Sequence, residues 1–233
     1  MLTCGIDENG EIRDPVKHPE QFKQSAIGLI PKEWMVESLK DIFQIQTGAT
    51  PLHEKHSEYF SGGSIPWVKT MDLNEGEIYE TDEKITTKAL RECSVKLLPK
   101  ETILIAMYGG WEQIGRTGLL KKESTTKQTL SNLVSLRENI DCYFFLYQIQ
   151  YLRYRWKIVA VSTRKDPNIT KNDVENFLVA IPNENEQRLI TQVIQSKNTK
   201  ISQEEAYIEK LRLQKKGLMH DLLTGKVRVN HLL

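Results

Sequence analysis

The chain has 233 residues, which is enough for one substantial domain and an appendage. Its 32 Lys and Arg and its 31 Asp and Glu leave a net charge of +1, so overall charge gives no sign of a nucleic-acid partner. The three cysteines are widely spaced, which predicts a chain without disulfides or a cysteine-ligated zinc site. No run of 18 apolar residues and no secretory signal pattern occurs, so we expect a cytoplasmic chain without a membrane span.

The first half of the chain is predicted to be a polar arm followed by the start of a sheet domain. Residues 1–21 are polar and contain two prolines, which indicates an extended arm or junction. Residues 34–46 place apolar side chains at helical spacing and predict a short helix, while the turn-forming residues of 47–64 predict a long loop. A strand is expected to start at Ile65.

The second half of the predicted domain alternates strands with a helix. The clearest buried strand is 102–107, and further strands are expected at 115–120 and 132–136. Residues 141–161 predict a helix, after which 173–181 returns to the sheet. Short strands and helices without a regular βαβ alternation indicate an α+β domain with a mixed or antiparallel sheet, followed by a long C-terminal helix.

The last part of the chain predicts that long helix. From 187 to about 218 there is no proline, and the glycine at 217 lies at the end. Roughly 32 helical residues span about 48 Å, more than a domain of this size needs. Pro182 ends the preceding segment, and Asn183 or Asn185 can cap the first turn.

Apolar side chains recur along this helix in alternating steps of four and three residues. That spacing is typical of a helix that pairs with a second helix. Lys197, Glu204 and Lys215 interrupt the apolar seam, which favours a register-setting role in a two-helix coil over the alternative, a helix packed on its own domain. The apolar seam positions are Ile190, Ile194, Ile201, Ile208, Leu211 and Leu218.

The segment that follows strand 102–107 carries side chains suited to DNA bases. Its two adjacent glycines permit a close backbone approach, and in the major groove glutamine pairs with adenine and arginine with guanine. The alternative is that Trp111 fills the domain core and Arg116 makes an internal ion pair. The candidate residues are Tyr108, Gly109, Gly110, Trp111, Gln113 and Arg116.

A basic and aromatic segment, 151–171, gives a second indication of DNA binding. It holds six Lys and Arg against one Asp, with tyrosines and a tryptophan between them. The alternative is that Tyr151, Tyr154 and Ile158 form the buried stripe of a helix and the arginines are solvated. We expect both to hold in part, with the stripe in the core and the loop 162–168 making the contacts. Further candidate contacts are Lys69, Lys127, Gln128, Arg164 and Lys165, with Thr47, Gly48 and Thr50 for phosphates from the early loop.

No pattern of a catalytic or metal site stands out. An adenine methyltransferase needs a cofactor-binding glycine loop and an Asn/Asp-Pro-Pro-aromatic motif, and the chain has no Pro-Pro pair. His53 and His56 lie three residues apart rather than the four of the zinc motif HExxH. We therefore expect no catalysis, no metal and no cofactor in this chain.

Five segments resemble, in order and spacing, the specificity subunits of type I restriction–modification enzymes. They include IPWVKTMDL within the domain and GLMHDLLTGKVRV at the end of the helix. Segments 27–51, 65–73 and 97–120 resemble the target recognition domain of that family, and 181–194 and 217–229 resemble its helical conserved region.

The resemblance implies a non-catalytic subunit that reads DNA. It implies an arm at 1–21, a target recognition domain at 22–182 and a helical spacer and dimerisation region at 183–233. The implied partners are double-stranded DNA, a methyltransferase subunit and, when present, a restriction or translocating subunit. S-adenosylmethionine would belong to the methyltransferase partner.

The chain departs from the family pattern in two ways. Members usually hold two recognition domains and two helical regions, whereas this chain has one of each, and Lys127-Gln128 stands where the family often has Asn-Gln. We expect a half-length subunit that pairs with an identical chain or with a separately encoded half. The alternatives are a silent fragment of a split gene, the specificity part of a fused methyltransferase–nuclease, and a coiled-coil adaptor without DNA contact.

Overall fold

The computed structural model describes residues 1–7, 10–160 and 167–227, and it divides into two compact units, Met1–Ile190 and Thr191–Leu233. The first unit contains the strands and the short helices, and most of one long helix forms the described part of the second. In the described ranges, no helix combines the length and apolar character required to cross a bilayer.

Counted over its described residues, the first unit has twelve short strands. They are β1 (Phe22–Ser25), β2 (Gly28–Pro31), β3 (Met35–Ser38), β4 (Phe43–Thr47), β5 (Ile65–Val68), β6 (Glu77–Ile78), β7 (Lys84–Ile85), β8 (Ile103–Ala106), β9 (Thr117–Leu120), β10 (Thr125–Thr126), β11 (Leu130–Ser135) and β12 (Leu178–Ile181).

In the part of the chain that the structure describes, six short α-helices and one long helix accompany the strands. They are α1 (Leu39–Ile42), α2 (His56–Tyr59), α3 (Thr87–Glu92), α4 (Cys142–Tyr151), α5 (Trp156–Val159), α6 (Lys171–Glu175) and α7 (Glu184–Leu223). Single 3₁₀ turns occur at Pro19–Gln21, His53–Lys55, Thr70–Asp72 and Leu152–Arg155.

The main sheet is five-stranded, in the order β4-β11-β8-β9-β6. Its neighbours are antiparallel except β6 and β9, which are parallel. The remaining strands form a three-stranded sheet, β10-β5-β7, and two strand pairs, β1-β2 and β12-β3. The predicted α+β class with a mixed sheet and a long C-terminal helix is confirmed.

Both faces of the main sheet are covered, which explains the uninterrupted apolar run of β8. Leu104 and Ala106 pack in one buried cluster with Val68 of β5, and Ile103 and Ile105, which alternate with them along the strand, are equally buried. Helix α4 packs against β9 and brings its phenylalanines to the opposite face.

The helix predicted over 34–46 is largely wrong. Only Leu39–Ile42 is helical, between strands β3 and β4. Phe43 and Ile45 are buried while Gln44 between them is exposed, the period-two pattern of a strand, and β4 pairs along its whole length with β11. Tertiary pairing with β11 therefore overrides the helical spacing of this segment.

Helix α7 extends beyond the predicted range at both ends. It begins at Glu184, and the side chain of Asn183 accepts a hydrogen bond from the backbone N–H of Glu186 at 3.0 Å, so Asn183 is the cap. Ile190 is fully buried in the first unit, whereas Ile201 and Ile208 in the second are 56% and 47% exposed. The exposed part of the predicted seam therefore starts after Ile190.

Candidate nucleic-acid interface

Several loops meet at one edge of the main sheet because of the strand register. Strand β4 ends at Thr47 beside Ser131 of β11, and β8 ends at Ala106 beside Leu130. Strand β9 begins at Thr117 on the same side. We call this the loop edge: residues 47–50, 69–70, 107–116, 127–129 and 169–171.

Backbone hydrogen bonds hold these segments together. The N–H of Met107 donates to the carbonyl of Thr129 at 2.9 Å, and the N–H of Ile169 donates to the carbonyl of Met107 at 3.0 Å. The N–H of Lys127 donates to the carbonyl of Val68 at 2.9 Å, which brings the end of β5 to the same place. The loops therefore meet in a fixed arrangement.

Gly48 marks the tightest approach of two of these loops. The N–H of Ala49 donates to the carbonyl of Thr126 at 3.0 Å. A β-carbon built on Gly48 would lie inside the van der Waals distance of the carbonyl oxygens of Thr126 and Lys127. Because these are backbone atoms, they cannot turn aside, and only glycine fits here.

A cleft of about 540 Å³ opens between the loops. Its floor includes Met107, which is 3% exposed, and its rim includes Gln128 and Tyr108, which are exposed. The residues that line it are Thr47, Met107, Tyr108, Gln128, Thr129, Thr170 and Lys171.

The cations of the loop edge differ in how far they are engaged. Lys69 pairs with Glu83 at 3.0 Å, and Lys171 pairs with Glu175 at 3.0 Å. Lys127 forms no ion pair with any described residue. Exposed pairs of this kind are weak, so all three lysines can face an anionic ligand.

The structure contradicts the alternative in which Trp111 fills the domain core and Arg116 makes an internal ion pair. The Trp111 side chain is 44% exposed, and so is that of Tyr108. Arg116 Nη1 donates to an amide, Gln113 Oε1, at 2.9 Å rather than to a carboxylate. Both residues remain at the surface of the loop edge.

A family model described as the type I restriction modification DNA specificity domain matches residues 31–213. The chain belongs to this family.

Curated relatives support the assignment. The type I restriction enzyme MjaIX specificity subunit of Methanocaldococcus jannaschii is 31% identical over 178 residues, 75% of this chain and 40% of that protein. The MjaVIII specificity subunit of the same organism is 27% identical over 220 residues, 91% of this chain and 51% of that protein. The chain therefore spans about half the length of the curated relatives it matches.

The fold is shared with solved structures of type I systems. One chain, from a study of complex assembly and conformational transition of the type I R-M system, aligns with a TM-score of 0.63 at 21% identity. The alignment covers 87% of this chain and 47% of that chain.

For this member of the specificity-domain family, the structure brings together most of the residues singled out from the sequence. Arg164 and Lys165 lie outside the described residues, so their placement stays a prediction. The candidates that the structure places on the loop edge are Thr47, Gly48, Thr50, Lys69, Tyr108, Gly109, Gly110, Trp111, Gln113, Arg116, Lys127 and Gln128.

Two arginines of the basic segment 151–171 are engaged inside the protein. Arg153 Nε donates to the carbonyl of Ile114 at 3.0 Å, and its Nη1 pairs with Glu75 at 2.9 Å. Arg155 Nη1 donates to the carbonyl of Leu178 at 2.9 Å, and burial lowers the pKa of its guanidinium. These two cations hold the fold, so the basic segment offers fewer free charges than its composition indicates.

The expectation that the apolar stripe of this segment is core is wrong. Tyr151, Tyr154 and Ile158 are 53%, 60% and 79% exposed, whereas Leu152 and Trp156 are buried. A 3₁₀ turn at Leu152–Arg155 interrupts the helix, so the spacing of a regular α-helix is not kept.

The sequence analysis did not select four of the residues that line the cleft. Thr129 directly follows the candidate Gln128, and Met107 directly precedes Tyr108, so both could have been found by extending the motifs. Thr170 gives a clearer signal, because Thr170 and Asp173 form a capping box at the start of α6. Lys171 was counted among the cations of the basic segment but was not assigned to the site.

A connected group of ionisable side chains lies at the opposite edge of the main sheet. Lys121 Nζ donates to Glu101 at 2.6 Å and to the Tyr143 hydroxyl at 2.9 Å, and that hydroxyl bonds to Glu77. Burial and the Glu77 carboxylate raise the pKa of Tyr143 to about 12. In the described ranges no group of three or more His, Cys, Asp or Glu is arranged to hold a metal ion.

Proposed function

We propose that this chain is a DNA sequence-specificity subunit of a type I restriction–modification system and that its loop edge reads one half of a two-part target. The observation that carries this proposal is the convergence of five chain segments on one sheet edge, within a chain of the specificity-domain family. Loops fixed by a rigid scaffold are suited to recognition, because their side chains keep their positions when the ligand binds.

The chemistry of the loop edge favours DNA as the ligand. Lys69, Lys127 and Lys171 can neutralise phosphates, while Gln128 and Tyr108 present hydrogen-bonding groups to base edges. Gly48 permits the close backbone packing that lets the early loop lie against the segment that contains Gln128. Phosphate contacts would position the duplex, and the polar side chains between them would supply the sequence preference.

The exposed side chains of α7 support a pairing role. Ile201, Ile208, Leu211 and Leu218 are 44% to 65% exposed and recur with the four-and-three spacing of a coiled coil. Pairing with an identical chain, or with a separately encoded half, would bury this seam and hold two recognition domains at a fixed separation. The helix would then set the spacer between half-sites, and a dimer of identical chains would require a palindromic target.

Catalysis would reside in partner subunits. This chain would act in the cytoplasm with a methyltransferase subunit, which would carry S-adenosylmethionine, and with a restriction or translocating subunit where one is present. Membership of the specificity-domain family supports the docking of those partners on this chain.

Selection from random duplexes tests the function. The full chain, alone and with the methyltransferase subunit of its host, is incubated with a random duplex library, and bound molecules are sequenced. We expect enrichment of two short sequences at a constant separation, with a palindrome if the chain pairs with itself. Enrichment of no sequence in either arm would refute the proposal.

A further inference from the structure

If the proposed function holds, the residues that line the cleft of the loop edge favour one kind of base pair over the others. Three of its seven lining residues are threonines, one is a methionine, and one carries an amide.

Two of the three threonine hydroxyls of the cleft, and the sulfur of its methionine, are engaged within the protein. The Thr129 hydroxyl is 3.0 Å from the Thr70 hydroxyl, and the Thr170 hydroxyl donates to Asp173 Oδ2 at 2.7 Å. The Met107 sulfur accepts a hydrogen bond from Ser131 at 3.0 Å. Because these hydroxyls and this sulfur already have hydrogen-bond partners, the threonines and Met107 present mainly apolar surface to a ligand.

The amide of the cleft is free. Gln128 is exposed, and its side chain has no hydrogen-bond partner among the described residues. The other glutamine of the loop edge, Gln113, accepts from Arg116 and does not line the cleft. Arg116, the side chain that would favour guanine, is therefore outside the cleft and already bonded.

We propose that this cleft takes the major-groove edge of an A·T base pair. A glutamine amide can donate to adenine N7 and accept from adenine N6, which no other base pair matches, and the thymine methyl is recognised by apolar groups such as threonine methyls. Gln128 faces the adenine, and the wall of Thr47, Thr129 and Met107 receives the thymine methyl. Lys127 and Lys171 flank the cleft on the side of the phosphates.

Chemically altered duplexes test this directly. In the duplex selected by the wild-type chain, each thymine is replaced in turn by uracil, which removes the methyl group, and each adenine by 7-deazaadenine, which removes N7. We expect one A·T pair at which each replacement weakens binding about tenfold. If no A·T pair is sensitive to both replacements, the inference is wrong. This test uses only the wild-type chain.

A substitution then assigns the amide. At that pair, 7-deazaadenine should no longer weaken the binding of the Gln128→Leu chain, whereas uracil should still weaken it. Gln44→Leu makes the same chemical change at an exposed position outside the loop edge and should behave as wild type.

The outcomes separate this inference from the proposed function. A Gln128→Leu chain that still discriminates against 7-deazaadenine would refute the role of Gln128, although sequence-specific binding would stand. A wild-type chain that selects no sequence would remove the proposed function and this inference with it. Circular dichroism of Gln128→Leu verifies that the exposed substitution leaves the fold intact.

Discussion

Glu186, in the first turn of α7, accepts a hydrogen bond from the indole N–H of Trp34, with 3.0 Å between Oε2 and Nε1. Its other oxygen accepts from the backbone N–H of Ile6 at 3.0 Å and lies 3.2 Å from Arg13 Nη1. Both Glu186 and Trp34 are buried. One carboxylate thus ties the N-terminal arm and the segment before β3 to the start of the long helix.

Replacing Glu186 by alanine should destabilise the first unit by about 3 kcal/mol, because it leaves the buried Trp34 N–H without an acceptor and Arg13 without one of its partners. The free energy of unfolding in urea measures this. Glu184→Ala, which removes an exposed acid two residues earlier and its pair with Arg188, should cost under about 0.5 kcal/mol. Equal losses in the two variants would show that the Glu186 contacts contribute nothing specific.

Gly48→Ala should weaken duplex binding and cost about 1–3 kcal/mol of stability, because the new methyl group meets the carbonyl oxygens of Thr126 and Lys127. Gly76→Ala is the matched control, since a β-carbon there has one neighbour, Asn74 Oδ1, at 3.7 Å. Thermal unfolding and duplex titration report the two effects. If the Gly48→Ala chain binds the duplex with wild-type affinity, the packing at Gly48 is not needed for binding.

Lys127→Ala should reduce duplex affinity for all sequences alike and lower the slope of log K against log salt by about 0.9, the value for one phosphate contact. Lys100→Ala removes an exposed lysine before β8, at the opposite edge of the sheet, and should leave the slope unchanged. Titrations between 50 and 200 mM salt, roughly the range where such slopes are measured, provide the readout. An unaltered slope for Lys127→Ala would exclude a phosphate contact there.

Ile201→Glu combined with Ile208→Glu should abolish the proposed pairing of the chain, because both side chains are exposed on the predicted seam and two charges cannot be buried between helices. Light scattering gives the mass. Ser202→Glu with Gln203→Glu adds the same charge next to the seam but not on it, and should leave the mass unchanged. A double isoleucine variant with the wild-type mass would argue against this seam.

Cys142 should resist alkylation in the folded protein. Burial, assisted by the charges of Glu101 and Asp141, raises the pKa of its thiol to about 12, and the thiolate is the reactive form. The rate with iodoacetamide, followed by peptide mass mapping, should therefore be low at pH 8 and rise about tenfold per pH unit toward pH 11. In urea the same residue should react rapidly at pH 8; similar rates in the folded and unfolded chain would contradict the raised pKa.

The sequence suggests the candidate contacts because they occur in short, local patterns. Tyr108 to Arg116 follow an apolar run that ends at paired glycines, and Lys127-Gln128 precede another strand. Whether such patterns meet depends on strand order, and nothing local in the sequence states that β11 lies between β4 and β8. The engagement of Arg153 and Arg155 with backbone carbonyls was equally hidden, because the acceptors are distant in sequence.

By itself the sequence determined the long helix, the α+β class and the family. Helical periodicity, capping and turn chemistry act between residues a few positions apart, so a single chain displays them directly. Only the tertiary structure decided that residues 34–46 are mostly strand, that Ile190 is core while Ile201 is exposed, and that Thr129 and Thr170 share a cleft with Gln128. Those facts depend on which distant segments exclude water from one another, and burial is a property of the assembled fold rather than of any local segment.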